Sequence, residues 1–493
     1  MSRLRNEHGA VLPLVGFMLT VLLGLAAFAT DLGWFYLNAS RAQRAADAAS
    51  LAGVIYMPDK FATDASNTAR AIAASNGFVD NLNGVTVTPE RVKDVSGEDA
   101  PYSLKVTIST TVPTFFLKVF GKETQTITRS ATAEFVPPLP MGNPGSTFGN
   151  DPASGNWVGF WANIHGTYTD TKMGDAYSSW CPDGSGSGKG CAASPNPSWR
   201  DSGYTYGVDV PSGTASFTVN TLDLALHTTG GTDHIRTGDN IACAGCDTGK
   251  GHTIRATLYY PDPTPLDVSD NVPVPGCTVT KGPEPQVPES APYVWEPLCT
   301  VLNPAPGIYP LQIVIDTPKQ KDDTGLNRYS LNVTGIGATP RLYGLGDISI
   351  FNNISASTSD FYLAQVDSAY RGKTFVVELY DPGDAQDNVS NIISFIGPDG
   401  TAWTDGCTIS IRDEITDDWS ALTNHPAGDP CTIDATRPAH NYDGKWLQVQ
   451  FGLPAAYSGG WWKVHYDYAG TTQDTTTWRA YIIGSPLHLV LGQ

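Results

Sequence analysis

The chain is short of basic charge. Its 493 residues carry 30 Lys and Arg against 49 Asp and Glu, a formal net charge of −19, the opposite of the balance a nucleic-acid-binding surface needs. It is short of charge altogether, at 16% Asp, Glu, Lys and Arg, while Gly numbers 50 and Pro 36. That composition excludes a helical cytosolic enzyme and describes a loop-rich, β-rich, extracytoplasmic protein. Catalytic signatures are missing too. There is no G-x-S-x-G on a strand-to-helix turn, no G-x4-G-K-[ST] phosphate loop and no H-E-x-x-H. The GSGSG at 184–188 sits in a low-complexity loop. No enzymatic activity and no cofactor are expected. Cysteine is absent before Cys181, and all eight lie between Cys181 and Cys431. An even number in Gly- and Pro-rich sequence suits an oxidising compartment.

What the chain does have is one long apolar run. Gly9 to Thr30 is free of charge, enough for a helix to span a ~30 Å hydrocarbon core at ~1.5 Å per residue. Asp31 closes the run. Leu32, Trp34, Phe35, Tyr36 and Leu37 follow, and then an Ala-rich stretch with Arg41, Arg44 and Asp47. These residues favour helix, so one helix should leave the membrane and continue above it. Trp34 and Tyr36 stand where an interfacial aromatic belt would be. The competing reading is a cleaved signal peptide with Ala26-Ala27-Phe28-Ala29 at its cleavage site, although signal-peptide cores usually span only ~7–15 residues. Arg3 and Arg5 before the run and Arg41 and Arg44 after it leave orientation ambiguous. The cysteines place residues 37–493 outside and the N-terminus in the cytoplasm. Residues 9–36 should therefore meet the lipid bilayer as a single-pass anchor.

Gly9-Ala10-Val11 after a short basic leader, Asp31-Leu32-Gly33 with Trp34 and Tyr36 behind it, Gln43-Arg44-Ala45-Ala46-Asp47-Ala48-Ala49 and Leu51-Ala52-Gly53 together resemble the N-terminus of the TadE/TadG-like family of tight-adherence (Flp) pilus assembly proteins. The resemblance covers about a tenth of the chain directly and, with weaker matches to Pro137, roughly a quarter. It implies a pilin-like α+β domain, a role in pilus or envelope-appendage assembly, and other assembly proteins as partners. Family members processed like pseudopilins carry Glu five residues after the cleavage-site Gly. Here that place is Leu14, preceded by Pro13, so the helix is expected to stay uncut, as in the TadG-like branch. Many TadG-like proteins also carry a von Willebrand A domain with an Asp-x-Ser-x-Ser metal site. The nearest strings, Asp94–Glu98 and Asp267–Asn271, lack the final Ser, so metal-dependent adhesion is not carried over.

The expected fold is α+β and membrane-anchored. Residues 1–36 form the leader and transmembrane helix, and 37–136 a pilin-like α+β domain. Residues 137–156 form a Pro/Gly/Ser linker. Residues 157–346 and 347–493 form two all-β antiparallel sandwich modules. A second helix is expected at Asp64–Asn76, capped by Thr63. Strands are expected around Val85–Val87, Leu104–Ser109 and Thr124–Phe135, with Asn83-Gly84 as a turn. Pro113–Gly121 reads as one helical turn whose Phe115, Phe116 and Phe120 pack into the core. Val136–Gly155, rich in Pro, Gly and Ser, reads as linker.

The two modules rest on an ordered repeat. Val208-Asp209 parallels Val366-Asp367, and Gly276-Cys277-Thr278-Val279 parallels Gly406-Cys407-Thr408-Ile409. Leu298-Cys299-Thr300-Val301 answers Pro430-Cys431-Thr432-Ile433, and Gly307–Val314 answers Gly444–Val449. Asn327–Gly335 answers Thr476–Gly484, and Pro340–Gly346 answers Pro486–Gly492. The repeat pairs Cys277 with Cys299 and Cys407 with Cys431. Cys181 and Cys191 bracket a Gly/Ser hairpin and should pair with each other. Cys243 and Cys246 either close a small disulfide loop or, with His234 and His252, form a tetrahedral zinc knot. Asp381, Asp384, Asp387 and Asn388 are a candidate Ca²⁺ loop, with a solvated turn as the plainer reading. Trp446, Trp461 and Trp462 could offer a glycan-stacking platform, although one of two neighbours in a strand must face inward. Two functions follow: a pilus-assembly protein displaying disulfide-stapled β modules, or an anchored adhesin or carbohydrate-binding protein that uses the pilin-like segment as a stalk.

Overall fold

A computed structural model describes residues 11–57, 61–93, 99–166, 169, 174–177, 202–229, 239, 251–262, 265–285, 292–316, 325–355, 358–383, 388–413, 419–483 and 487–490. The chain forms two compact units. The first joins residues 1–137 to residues 484–493, and the second comprises residues 138–483. The fold class is α+β, with a long N-terminal apolar helix followed by mostly antiparallel sheets.

In the first unit, α1 runs unbroken from Val11 to Val54. It is long and apolar enough to cross a membrane. A π-helical turn, Phe61–Ala65, leads into α2 (Ser66–Ser75). The residue before α2 is Ala65, itself in helical conformation and making no side-chain cap bond. Thr63 lies inside the π turn and is therefore not the cap the sequence suggests. Strands β1 (Thr86–Lys93), β2 (Asp99–Pro113) and β3 (Thr124–Phe135) pair antiparallel.

The sheet packs on a stripe of small side chains. Ala42, Ala45, Ala46 and Ala49 have no exposed surface, and their spacing of three and four puts them on one helical face. Leu104, Val106 and Ile108 of β2 meet that face in one core, alternating inward with the strand's period of two. Gly53 continues the stripe. A Cβ there would lie 2.6 Å from Leu104 Cδ2 and 2.8 Å from the Ala65 carbonyl oxygen, so only glycine lets the helix end approach this closely.

The fourth strand of this sheet comes from the other end of the chain. β27 (Leu487–Leu489) pairs with β3, giving the order β1-β2-β3-β27. This corrects the expected module 347–493, whose last residues belong to the first unit. The open edge of β3 carries unpaired backbone groups that a strand can satisfy, and no local pattern in residues 484–493 names that edge.

The second unit is built from strands. In chain order they are β4 (Pro140–Met141), β5 (Thr147–Phe148), β6 (Phe160–His165), β7 (Tyr204–Val210), β8 (Thr214–Leu222), β9 (His227–Thr229), β10 (Ile254–Tyr259), β11 (Pro273–Lys281), β12 (Glu284–Pro285), β13 (Glu296–Leu302), β14 (Gly307–Ile315), β15 (Leu326–Gly337), β16 (Arg341–Leu345), β17 (Asp347–Ser355), β18 (Thr358–Val366), β19 (Thr374–Tyr380), β20 (Asn391–Ile396), β21 (Cys407–Asp413), β22 (Ser420–His425), β23 (Thr432–Asp434), β24 (Lys445–Gly452), β25 (Gly460–Tyr468) and β26 (Thr471–Ile482). One large sheet runs β11-β10-β14-β7-β16-β4-β18-β25-β20-β23. The other runs β13-β8-β15-β6-β17-β26-β19-β24-β21-β22, with β5 added beside β15. Aromatic side chains interlock between the sheets, Phe217 on Tyr309 and Phe361 on Trp478 with ring centroids 5.2 Å apart in both pairs.

The strand order is that of two jelly rolls laid side by side. Counting β6, β7, β8, β10, β11, β13, β14 and β15 as one to eight, one sheet of the first half reads 2-7-4-5 and the other 1-8-3-6. This is the double Greek-key layout of an eight-stranded jelly roll. Counting β17, β18, β19, β20, β23, β24, β25 and β26 gives the same two orders in the second half, with the hairpin β21–β22 added at the sheet edge.

This order corrects part of the expected repeat. Gly307–Val314 lies on β14, strand seven, while Gly444–Val449 lies on β24, strand six of the other half, in the opposite sheet. The counterpart of β11, which carries Cys277, is β23 beside Cys431, and Pro340–Gly346 and Pro486–Gly492 fall in different units. A Gly-Cys-Thr string marks a strand that starts at a turn wherever one occurs, so local matches slid by one strand past the added hairpin. Val208-Asp209 with Val366-Asp367, and β15 with β26, occupy like places.

The halves are also not separate modules. β4 lies between β16 and β18 and makes the first sheet continuous, while β6 pairs with β17 across the second, Trp161 opposite Phe351. The expected linker is therefore woven into the sandwich. Leu139, Met141 and Phe148 are buried, and Gly142 turns at φ +86° where a Cβ would strike the Phe148 ring. Its Pro- and Gly-rich composition hid these few apolar anchors.

Two disulfides staple the outer edges. Cys277–Cys299 joins β11 to β13 with Cα atoms 5.1 Å apart, and Cys407–Cys431 joins β21 to the residue before β23 at 6.0 Å. Each crosses from one sheet to the other, and in the chain-entropy model closing a loop of this size stabilises by roughly 3 kcal/mol. Cys181, Cys191, Cys243 and Cys246 lie outside the described residues.

Deleting residues 484–493 should loosen the first unit and leave the sandwich intact. Three cross-strand pairs at ~0.2–1 kcal/mol each are lost. Hydrogen-exchange mass spectrometry of the full chain and the truncated chain should find faster exchange in β3 and unchanged exchange in β7 and β8. Equal exchange in β3 would show that β27 adds nothing to it.

Candidate functional site

The element that joins the apolar helix to folded protein is a clasp around Asp31. Asp31 is the only charged residue between Gly9 and Ser40, and it is 1% exposed. Its Oδ1 accepts the Phe115 N–H at 2.7 Å, and its Oδ2 accepts those of Phe116 at 3.0 Å and Leu117 at 2.7 Å. These donors stand at the start of the short 3-10 helix Leu117–Phe120, where a helical turn leaves N–H groups unpaired. A carboxylate is the strongest acceptor a side chain can offer them. Gly121, at φ +79°, ends the turn, and Thr114 N–H donates to the Glu123 carbonyl at 3.0 Å to close the hairpin.

The clasp is the lowest of three rungs. Gln43 Nε2 donates to the Ser130 carbonyl at 3.1 Å, and Gly53 lies against Leu104. From Asp31 to Gly53 the helix rises ~33 Å, and from Leu104 to Phe115 the strand covers ~36 Å. The β2–β3 hairpin therefore runs down the helix and its tip lies beside Asp31. Trp34 meets Phe115 edge-on at 5.6 Å. Contrary to the expected core packing, Phe115, Phe116 and Phe120 are 45%, 46% and 82% exposed. The core is filled instead by the alanine stripe and by β-branched and Leu residues higher on the sheet. Asp31 is the residue that sequence reasoning missed. Its signal was isolation: one carboxylate closing a charge-free run.

A second polar arrangement lies at the join of the jelly rolls. Residues 174–177, between β6 and β7, reach onto β26. Thr477 Oγ1 donates to the Gly174 carbonyl and accepts from Ala176 N–H, and Gly174 leaves no room for a Cβ beside the Thr475 carbonyl. Asp175 accepts His165 N–H, Tyr177 N–H and the Tyr204 hydroxyl, the last at 2.6 Å. Tyr177 donates to Asp347 at 3.1 Å and accepts from Arg479 at 2.6 Å, and Arg479 pairs with Glu378 at 3.1 Å. Burial pushes the Tyr204 phenol well up, helped by Asp175 and Asp347. Burial and then Arg328 and His252 push His165 well below the usual 6.5. Among the described residues neither ring nitrogen of His165 has a hydrogen-bond partner, as befits a neutral interior ring. This network holds strands of both halves in register.

The remaining candidates fare as follows. Trp446 and Trp462 are interior, 2% and 0% exposed. Trp446 lies under Arg479 at 4.8 Å, and Trp462 donates to the Tyr457 hydroxyl at 2.8 Å. Only the half-buried Trp461, edge-on to Tyr362 at 5.7 Å, keeps a face outward, so the three do not form a platform. Alternation of β25 and packing between the sheets turned Trp462 inward. Asp381 is buried and accepts Gly444 N–H, whereas Asn388 is exposed; Asp384 and Asp387 lie outside the described residues. Of the zinc-knot residues, only His252 is described, and it is buried. Among the described residues no three His, Cys, Asp or Glu side chains gather as a metal site. A cavity of about 220 Å³ is lined by Asp223, His227, Lys281, Glu284, Tyr293 and Glu296 among others, with His227 Nε2 2.6 Å from Asp223.

Two outcomes are expected. Asp31→Asn removes a charged acceptor of three N–H groups, where hydrogen bonds to a charged group contribute ~1.5–3 kcal/mol. Amides 115–117 should exchange faster while β1–β2 pairing persists, and unchanged protection at 115–117 would show the clasp to be idle. The second concerns pH. His165 is neutral when folded and takes a proton when unfolded, so its contribution is complete above 6.5 and is lost as pH falls below it. The sandwich's unfolding temperature should drop between about pH 7.5 and about pH 5.5, and His165→Gln should flatten that slope. An equal slope in the variant would remove His165 as its cause.

No curated protein sequence matches the chain. Among solved structures, the M60 catalytic domain with the CBM51-1 and CBM51-2 domains from Clostridium perfringens ZmpB aligns with 81% of the chain at 7% identity, with a TM-score of 0.16, too low to bear on fold or function. The chain spans 43% of that structure's length. At the other end of the scale of relevance is the segment that carries α1, its upward continuation and the π turn: residues 9–67 match the family model of putative Flp pilus-assembly TadE/G-like proteins.

Proposed function

We propose that this protein is a membrane-anchored, non-enzymatic component of Flp-type pilus or envelope-appendage assembly. In this reading α1 is the anchor, the N-terminus is cytoplasmic and the jelly-roll pair is displayed outside. The observation that carries it is the family match over residues 9–67, which takes in the whole of α1, a helix that continues from an apolar run into a packed α+β domain, and the π turn after it. The two disulfides support an oxidising compartment for the sandwich. Arg3 and Arg5 ahead of the apolar run are matched by Arg41 and Arg44 after it, so the disulfides carry the orientation. Partners are other envelope assembly proteins. The glycan-binding alternative now rests only on jelly rolls also serving as lectin domains, which is analogy of fold and not of site.

Deletion of the gene in its native cell, followed by complementation with the full chain, tests this. Loss of surface filaments, restored by the full chain and recovered with it in the membrane fraction, is the expected result. Normal filaments in the deletion strain, or a mature chain found free of membrane, would overturn it.

A further inference from the structure

The hairpin tip beside Asp31 has an exposed apolar surface that the anchoring role of α1 does not use. Phe116, Val119 and Phe120 are 46%, 78% and 82% exposed, and Lys118 and Lys122 beside them are exposed as well. In a soluble setting such a cluster is a liability. Its height is fixed, however. The clasp holds the backbone of Phe115–Leu117 within 3.0 Å of Asp31, one residue beyond the charge-free run. The hairpin descends along the helix, so its tip is the part of the sheet nearest the apolar segment. On the helix at this level Tyr36 is 78% and Leu32 56% exposed, and the Trp34 ring packs on Phe115.

We propose that the β2–β3 tip is a second membrane contact, with Phe116, Val119 and Phe120 seated at the headgroup–acyl boundary of the bilayer that α1 crosses and Lys118 and Lys122 at its phosphates. This rests on the reading of α1 as a membrane-spanning anchor. Aromatic rings favour that boundary, and apolar side chains flanked by lysine are the composition of surface-seated segments. A lipid surface is the occupant because the clasp itself delivers the tip to it, whereas a protein partner would have to be recruited to the same place. With two contacts the folded unit is held at a set tilt and height, not left to pivot on one helix.

The test uses the full chain reconstituted in vesicles of phosphatidylethanolamine and phosphatidylglycerol. The photoreactive residue p-benzoylphenylalanine replaces Phe120, and separately Val119, Leu14 or Glu90. Leu14 lies in the apolar run. Glu90 is exposed and opposite Lys105, eight strand residues or ~27 Å from Pro113. After illumination, mass spectrometry should find lipid adducts at 120, 119 and 14 and none at 90. Adducts at 14 with none at 119 or 120 would overturn the tip contact and leave the anchor standing. Cross-links from 120 to a second copy or another protein would overturn it in favour of a protein face. Adducts at 90 equal to those at 120 would overturn it by showing the whole sheet near lipid. No adduct at 14 would strike the anchor reading, and the proposal with it.

Discussion

A carboxylate at the end of a long uncharged helix must be satisfied without water, and much of the first unit follows from that requirement. A buried charge costs several kcal/mol unless it is hydrogen-bonded. The helix cannot supply donors to Asp31, because its own N–H groups are committed to its backbone. The hairpin tip has the opposite deficit, N–H groups at the start of a turn with no carbonyl to take them. Joining the two deficits sets the register of β2 and β3 against α1. Once Phe115 is pinned at Asp31, Leu104 falls beside Gly53, and the stretch between is lined by alanines small enough for a sheet to lie flat on the helix.

The second unit solves a different problem, that of joining two sandwiches without a hinge. Its sheets run unbroken through the join by way of β4 and the β6–β17 pair. Behind that ladder the interior is polar. Asp175, Tyr177, Asp347, Arg479 and Glu378 form one hydrogen-bonded chain across the two halves. Buried polar groups with every partner in place favour one alignment over its neighbours, which suits a seam whose two sides have the same strand order. Among the described residues covalent reinforcement lies elsewhere, at the outer edges, where β11 and β23 end the first sheet.

What could be read in the sequence was local or periodic. The apolar run and its continuation, the three strands at 86–135, the Asn83-Gly84 turn and the intramodular cysteine pairs all leave marks within a few residues. What could not be read was which edge meets which. The Pro- and Gly-rich stretch before Trp157 holds two-residue strands too short for alternation to register, and β27 looks like any short apolar segment. The repeat was legible where strands held their places, at Val208 and Val366, and slid where β21–β22 intervened. Trp446 and Trp462 could not be turned inward on paper, because facing in or out is decided by the second sheet. Phe115, Phe116 and Phe120 read as core for the complementary reason, that composition says apolar and only geometry says where the protein stops.

The return of β27 to the sheet beside the anchor sets an order of events in biogenesis. Synthesis delivers α1, β1, β2 and β3 long before Leu487, and throughout that interval β3 keeps an open edge able to accept a strand from a neighbour. The entire jelly-roll pair must be made before that edge is closed. The sheet of the first unit thus records whether synthesis has passed Leu489: shorter chains keep an unsealed β3 edge, and chains that include β27 do not.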